Sequence, residues 1–510
     1  MKINRKIENV LLVNPAISIY PKYDDLRIAQ SFGLSCISGA LRRCGDYNIE
    51  FMDVAAEGTT NRRFIEEGLL KIGLSDEEIA SRITKIRPDI VAVSNLHTPQ
   101  FFNAVNICKI AKGINEEIIT VIGGTHTSLN YKEALAMGCI DFVVIGEGER
   151  RFCQLIEALR GKYEISNCDG IAFLNDDKII RAYSNNINNI KKLPDPDFGL
   201  FNKKIYNSDI FYAGIVRGKF ALPYVSSRGC PQQCLFCCSN SIWGKKYRSY
   251  SIVNVQRHLD IIKDLGYDEV LIEDDNLLVD TYFAKTIFRT LKEKGFIWSL
   301  TGGLDRSRLT YEIADLLIEN NCSRVNIGIE SENISLLHKY HKYRKVAKKR
   351  LELVPYIRRI TEGGVETFGD LMIGFPEQTL KDIGITIDYA KHLKENGLGL
   401  ALFHIVTPFP GTGFFNECKE KGFISEPIKH EEYTFARGNI STSNFSAEQM
   451  TNLRVQAFID VNGQTAWEES RKTLQRPNLQ KYYLSNPENK WSAFFSKPHI
   501  MERPNEAKRR

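Results

Sequence analysis

Cys230, Cys234, Cys237 and Cys238 stand in one short stretch, Ser227-Arg-Gly-Cys-Pro-Gln-Gln-Cys-Leu-Phe-Cys-Cys238. The first three have a Cys-x-x-x-Cys-x-x-Cys spacing. Thiolates so close together can hold three irons of a four-iron, four-sulfur cluster and leave the fourth iron open to a chelating small molecule. Zinc is the competing reading. A structural zinc site wants four protein ligands, so it would need a distant partner such as Cys322 or a histidine. Cys238 reads as a structural thiol. Met1 to Glu8 is polar where a signal peptide needs an apolar core, and no run of about 18 apolar residues could span a bilayer. A cytoplasmic chain with reduced thiols is therefore expected, which favours metal over disulfides. Cys36, Cys44, Cys108, Cys139, Cys153, Cys168, Cys322 and Cys418 read as small buried hydrophobes.

The elements that must position these thiols are written in the alternation of apolar and helical segments. Of 510 residues, 43% are hydrophobic and 25% charged, enough for two or three globular domains. Val10-Leu-Leu-Val13, Ile49 to Met52, Ile90 to Val93, Ile118 to Ile122 and Phe142 to Ile145 read as strands of a parallel sheet with crossover helices. A doubly wound, Rossmann-like α/β domain over residues 1–160 follows. Glu57 to Arg87 reads as a polar, helix-prone insertion, and Asn185 to Phe198 as extended linker within a connecting stretch, 161–221. A second series comprises Leu222 to Val225, Glu269 to Ile272, Trp298 to Leu300, Val325 to Ile329, Gly369 to Ile373 and Leu402 to Val406. Six strands at this spacing predict a partial (β/α)6 barrel over 222–425, with functional residues at the carboxyl ends of its strands. Residues 426–510 read as mainly helical, with a helix start near Ser446. The charge of +6 comes from 68 basic and 62 acidic residues thinly spread, which leaves no nucleic-acid footprint. Lys339 to Arg350 and Lys508 to Arg510 read as solvated helix face or tail.

Further candidates stand at the barrel strand ends. Phe236 precedes the third cysteine. Glu273, Asp274, Asp275 and Asn276 follow the second strand and offer acceptors to a cation. Gly328, Glu330 and Ser331 follow the fourth strand, Ile373, Gly374 and Pro376 the fifth, and Thr407 to Thr412 forms a turn after the sixth. In this order the elements resemble the radical S-adenosylmethionine (SAM) superfamily. The resemblance implies a [4Fe-4S] cluster on Cys230, Cys234 and Cys237, with Phe236 the aromatic residue usual at its place. It also implies a SAM amino group received at Glu273 to Asn276, ribose and carboxylate at Gly328, Glu330 and Ser331, and adenine at Ile373, Gly374 and Pro376.

The amino-terminal turns narrow what that domain binds. Ser94-Asn95-Leu96 follows the third strand and Gly123-Gly124 the fourth, with 26 residues between Leu96 and Gly123. A small hydroxyl and two residues without side chains leave room for a ligand's tail. With Asn14-Pro15, His126 and Gly146-Glu147-Gly148, these turns resemble the cobalamin-binding domains found in front of radical SAM barrels. The Asp-x-His-x-x-Gly that carries a cobalt-ligating histidine is missing, which implies cobalamin without a protein ligand on its lower face. The resemblance as a whole implies a cobalamin-dependent radical SAM methyltransferase. A substrate radical would take methyl from methylcobalamin at an unactivated carbon or phosphorus centre, with an electron donor such as flavodoxin or ferredoxin. Its partners would be a small molecule, with no nucleic acid and no membrane span. Gly73 to Glu78 and Ile272 to Asn276 resemble segments of phosphonate carbon-methyltransferases and related natural-product methylases, and lipid and tetrapyrrole methylases look similar too. Cyclisation or rearrangement without methylation is the alternative chemistry, and a non-catalytic corrinoid or iron-sulfur sensor the alternative class.

Overall fold

The computed structural model describes residues 5–22, 28–66, 68–182, 187, 189–206, 216–343, 346, 351–424 and 427–475. Both alternating series form sheets. The first holds β1 (Asn9–Asn14), β2 (Asn48–Asp53), β3 (Ile90–Ser94), β4 (Ile119–Gly123), β5 (Phe142–Val144), β6 (Ile171–Asn175) and β7 (Lys178–Arg181) in the order β7-β6-β5-β4-β3-β1-β2. From β2 to β5 the strands are parallel, and β6 and β7 return antiparallel. Val10 to Val13 are wholly buried because helices cover both faces. The order 2-1-3-4-5 changes direction between β1 and β3. Their carboxyl ends therefore open a crevice, where such sheets bind ligands.

Three expectations shift here. The sheet runs on to Arg181, past the expected domain end at 160, because β6 and β7 come back as an antiparallel hairpin whose edge strand β7 carries charges and does not read as core. The 57–87 insertion is only half helical. Leu69–Ile72 pairs with Ile17–Ile19 on one side and Arg62–Glu66 on the other in a three-stranded sheet, and the helix Asp76–Ile86 follows with a capping box at Ser75 and Glu78. Cys44 is exposed, while the other seven cysteines expected inside are buried.

The barrel consists of β8 (Ala221–Tyr224), β9 (Glu269–Ile272), β10 (Ile297–Asp305), β11 (Cys322–Glu330), β12 (Glu366–Ile373) and β13 (Leu400–Ile405), all parallel and in sequence order. Residues 189–200 lie docked between the two sheets. Asp197 accepts from Ser38 and Arg42 of the first domain, and Asp195 from Arg257 and His258 of the second.

After the barrel, the helix Ala447–Asn462 starts at Ser446 with a full capping box. It lies along β13, the open edge of the barrel. Asn462 pairs with both backbone groups of Ala401, at 2.9 and 2.8 Å, and Arg454 donates to the Phe403 carbonyl at 2.8 Å. Side chains thus satisfy a strand edge that has no neighbouring strand. No helix among the described residues is long and apolar enough to cross a membrane. Lys508 to Arg510 lie outside the described residues.

Candidate functional site

The cysteine loop leaves the barrel after β8 through Ser227–Arg228, which pairs antiparallel with Arg248–Ser249. Gly229 follows at φ +85°, and a Cβ there would meet the Lys246 carbonyl at 2.5 Å, so only glycine closes this turn. Farther along, Leu235 donates to the Tyr340 carbonyl at 3.1 Å and accepts from Phe414 at 2.9 Å. Phe236 packs on Phe375 with ring centroids 6.0 Å apart. Burial pushes the thiols of Cys230 and Cys237 up and that of Cys234 up to about 11. Cys237 remains within reach of solvent, which places it in a recess. Loading metal on these thiols must therefore release protons. Among the described residues only His126, Glu133 and His430 bring three potential donors within 4.8 Å of one another. Cys230, Cys234 and Cys237 are not gathered that closely.

The second barrel turn meets this loop directly. Asn276 points its amide nitrogen at the Cys230 sulfur, 3.7 Å away, and at Asp305, 3.3 Å away, while its buried oxygen has no partner. Gln232 of the cysteine loop also reaches Asp305, at 3.3 Å. Asp275 is open to solvent beside Cys237 and Cys238. Asp274 has another task. It accepts from the backbone and hydroxyl of Ser226, at 2.9 and 2.8 Å, and from Ser227, and burial raises its carboxyl to about 6. It pins β8 to β9 instead of facing a ligand, and Glu273 beside it is partly exposed.

Glu330 sits at φ +63°, where the register between β11 and β12 slips. Its carboxylate pairs with Lys342 at 3.0 Å, and Cys234 and Asp305 stand close enough to act on the same cation. Lys342 is therefore a half-buried member of the site, where a solvated run was expected over Lys339 to Arg350. Lys339 is paired too, with Glu377, and residues 344–345 and 347–350 lie outside the described residues. Ser331 is buried against Thr386, with hydroxyls 3.0 Å apart. Gly328 gives its carbonyl to Tyr343 at 2.8 Å. The strip at Ile373, Gly374 and Pro376 is braced by Gln378, whose oxygen accepts from Gly374 and Phe375 at 2.9 and 3.0 Å.

In the first domain, Asn14 donates to Asp53 at 3.0 Å, and Pro15 is buried behind it. Asp53 also accepts from Tyr206 at 2.6 Å, and burial raises it to about 6. At the end of β3, Ser94 is partly open, Asn95 buried and Leu96 52% exposed. The two glycines after β4 differ. A Cβ at Gly124, φ +116°, would meet the Asn95 carbonyl at 2.5 Å, whereas one at Gly123 finds Val144 only at 3.5 Å. Gly124 is needed by the fold, whereas a Cβ at Gly123 would make only ordinary contact with Val144. His126 is packed inside. Its ring is 3% exposed, with Nδ1 3.1 Å from the Thr98 hydroxyl and the face against Phe101, and burial together with His430 lowers it to about 4.

Gly146, Glu147 and Gly148, expected to meet a ligand, form a joint instead. A Cβ at Gly146 would meet Arg151 at 2.6 Å, and one at Gly148 would meet Ile37 at 2.7 Å. Glu147 is 1% exposed and accepts from Arg228 at 3.0 Å and from Arg248 at 2.9 and 2.8 Å. Glu149 also binds Arg228. Burial pushes the Glu149 carboxyl up, and Arg228 pulls it further down, below the usual range. Arg228 stands two residues before Cys230. The first domain thus grips the cysteine loop itself. Sequence reading missed Arg228, Arg248, Lys342 and Asp305, since nothing local marks a charge whose partner lies far along the chain.

Comparison with known proteins agrees with this division. A B12 binding domain matches residues 27–156, and the Radical SAM superfamily matches 224–390. Cytidylyl-2-hydroxyethylphosphonate methyltransferase of Streptomyces wedmorensis is 26% identical over 90% of either chain. An anaerobic magnesium-protoporphyrin IX monomethyl ester cyclase of Cereibacter sphaeroides is 24% identical over 78% of this chain and 61% of that protein. Among solved structures, the cobalamin-dependent S-adenosylmethionine radical enzyme OxsB, with aqua-cobalamin and S-adenosylmethionine bound, covers 94% of this chain and 71% of its own. Its TM-score is 0.68 at 15% identity, a likeness of fold.

Proposed function

Because this chain is a radical SAM enzyme with an amino-terminal B12-binding domain and takes a [4Fe-4S] cluster, SAM and cobalamin as cofactors, we propose that it transfers a methyl group to an unactivated carbon or phosphorus centre of a small molecule. The observation that carries this reading is the joint of Glu147 and Glu149 with Arg228, which locks the crevice-bearing domain onto the loop of Cys230, Cys234 and Cys237. Two cofactors that must act on one substrate need their sites held at a fixed separation.

Cys230, Cys234 and Cys237 would hold the cluster. Asn276, with its orphaned buried oxygen, and Asp275 would receive the SAM ammonium. Lys342 and Glu330 would take its carboxylate and ribose, the cation meeting the carboxylate and the anion a hydroxyl. Ile373, Gly374 and Pro376 would supply an adenine wall whose backbone Gln378 keeps in shape. The crevice at Asn14, Ser94, Asn95, Leu96 and Gly123 would take cobalamin, with Gly124 setting the turn and Gly146 to Gly148 holding the domain in place. When bound, the cluster and SAM supply one-electron cleavage chemistry, and cobalamin supplies a transferable methyl group. A low-potential donor such as flavodoxin or ferredoxin would feed the electron.

The test is anaerobic turnover of the reconstituted protein with SAM carrying a deuterated methyl group. A cytidylylated phosphonate is the first substrate to try, since the Streptomyces wedmorensis relative is named for one. Mass spectrometry should find the deuterated methyl in product together with 5′-deoxyadenosine. Deoxyadenosine and altered substrate without transferred methyl would replace this reading with cyclisation or rearrangement.

A further inference from the structure

We propose that His126, Glu133 and His430 form a binding site for one divalent transition-metal ion of the zinc class, apart from the cysteine loop, where the post-barrel segment meets the first domain. One ligand atom from each residue lies within 4.8 Å of the others. His126 begins the case. Its ring is almost fully buried, and Nε2 has no hydrogen-bond partner, although an unpaired buried nitrogen is costly. That nitrogen faces the Glu133 carboxylate at 3.9 Å, too far for a hydrogen bond and close enough to share an ion. The other carboxylate oxygen is 2.9 Å from Nε2 of His430.

The far nitrogen of His126 fixes which tautomer faces the site. Nδ1 lies 3.1 Å from the Thr98 hydroxyl, and the Asn130 amide, 3.4 Å from Nδ1, already donates to the His126 carbonyl at 3.0 Å. An Nδ1 proton given to Thr98 leaves the Nε2 lone pair aimed at Glu133, as metal-bound histidines are oriented by a second hydrogen bond. The walls are aromatic. Phe101 stacks on His430 with centroids 5.0 Å apart, and Phe102 stands edge-on at 4.7 Å. Two imidazoles and one carboxylate in apolar surroundings suit zinc with its fourth position open, whereas calcium and magnesium want six or more oxygens. The three ligands come from both sides of a contact between distant segments, so the ion would clasp the post-barrel segment to the helices that follow β4.

The experiment uses the full chain with its iron-sulfur cluster loaded, so that the cysteines are occupied. The protein is stripped with a chelator, given zinc, dialysed and measured for zinc, and its zinc absorption edge is then recorded. One equivalent should remain, in a shell of nitrogen and oxygen at about 2.0–2.1 Å without sulfur at about 2.3 Å. His430→Gln and Glu133→Gln, which keep polar side chains at partly open positions, should each weaken zinc at least about tenfold in competition with a chelating dye. Their thermal midpoints in chelator serve as the folding control. Failure to retain zinc, a sulfur-containing shell, or wild-type affinity in both variants would overturn the site.

Discussion

The turns after β4 and β5 lie side by side at the carboxyl end of one sheet, both rich in glycine, and Gly123 of the first uses its missing side chain differently from Gly146 and Gly148 of the second. At Gly123 a Cβ would meet Val144 only in ordinary contact, at 3.5 Å, whereas at Gly146 and Gly148 protein fills its place, Arg151 and Ile37 coming within 2.7 Å of where a Cβ would be. One turn borders a crevice and the other is packed solid, its glutamates spent on two arginines of the barrel. A glycine in a turn reports a close approach without saying whether ligand or protein makes it. The carboxylate beside it can decide, since a buried acid needs a partner, and Glu147 finds two.

The sharpest way to break this contrast is Glu147→Ala. It leaves Arg228 and Arg248 buried with one acid fewer, and removing one partner of a buried pair costs about 3–5 kcal/mol. Denaturant unfolding should show that loss, with less iron incorporated per chain. A change under about 1 kcal/mol would show that the joint does not hold the domains.

Protons offer a second handle. Asp53 is raised to about 6 from 3.8 in the folded chain, so the folded state holds the proton longer than the unfolded one. Its contribution is full below about pH 4 and fades as pH rises through about 6, by up to about 3 kcal/mol. Asp53→Asn should therefore flatten the fall in stability between pH 4 and 6, measured as unfolding free energy against pH. An unchanged slope would refute the assignment.

The two adjacent glycines give a smaller and more selective effect. Gly124→Val should cost about 1–3 kcal/mol from its left-handed backbone, plus its clash with Asn95, and so lower the melting temperature. Gly123→Val should leave the melt nearly unchanged and reduce bound cobalamin, read from its visible absorbance per chain. Equal cobalamin content in Gly123→Val and wild type would move the cofactor elsewhere. The smallest effect is expected at Cys238. Cys238→Ala should keep nearly all of its cluster iron and absorbance, whereas Cys234→Ala loses most of both; a matching loss at Cys238 would make it a ligand.

The barrel strands and the cysteine loop were legible because their chemistry is local. A parallel strand buried on both faces must be rich in aliphatic residues, as Val270, Leu271 and Ile272 of the barrel are, and three thiolates on one cluster must be close in sequence. Arg62–Glu66 and Lys178–Arg181 were missed as strands because edge positions tolerate charge. Glu147 was misassigned because its partner Arg228 lies 81 residues away. Lys342 was hidden inside a basic run whose other members face water or lie outside the described residues. His126 was noticed for its place after the double glycine, yet its neighbours Glu133 and His430 carry no motif at all.

The helix that seals β13 has a consequence for synthesis. A ribosome delivers the barrel strands in spatial order, each pairing with the one just made, but apart from the Ile405 to Phe435 hydrogen bond the edge of the last strand stays uncovered until Arg454 and Asn462 emerge some fifty residues later. During that interval the nascent chain presents an unpaired strand to any neighbour, the condition that favours edge-to-edge aggregation. Yield from the ribosome should therefore depend on how quickly residues 406–462 follow, and a chain stopped short of Ala447 should collect in the insoluble fraction even though every barrel strand is present.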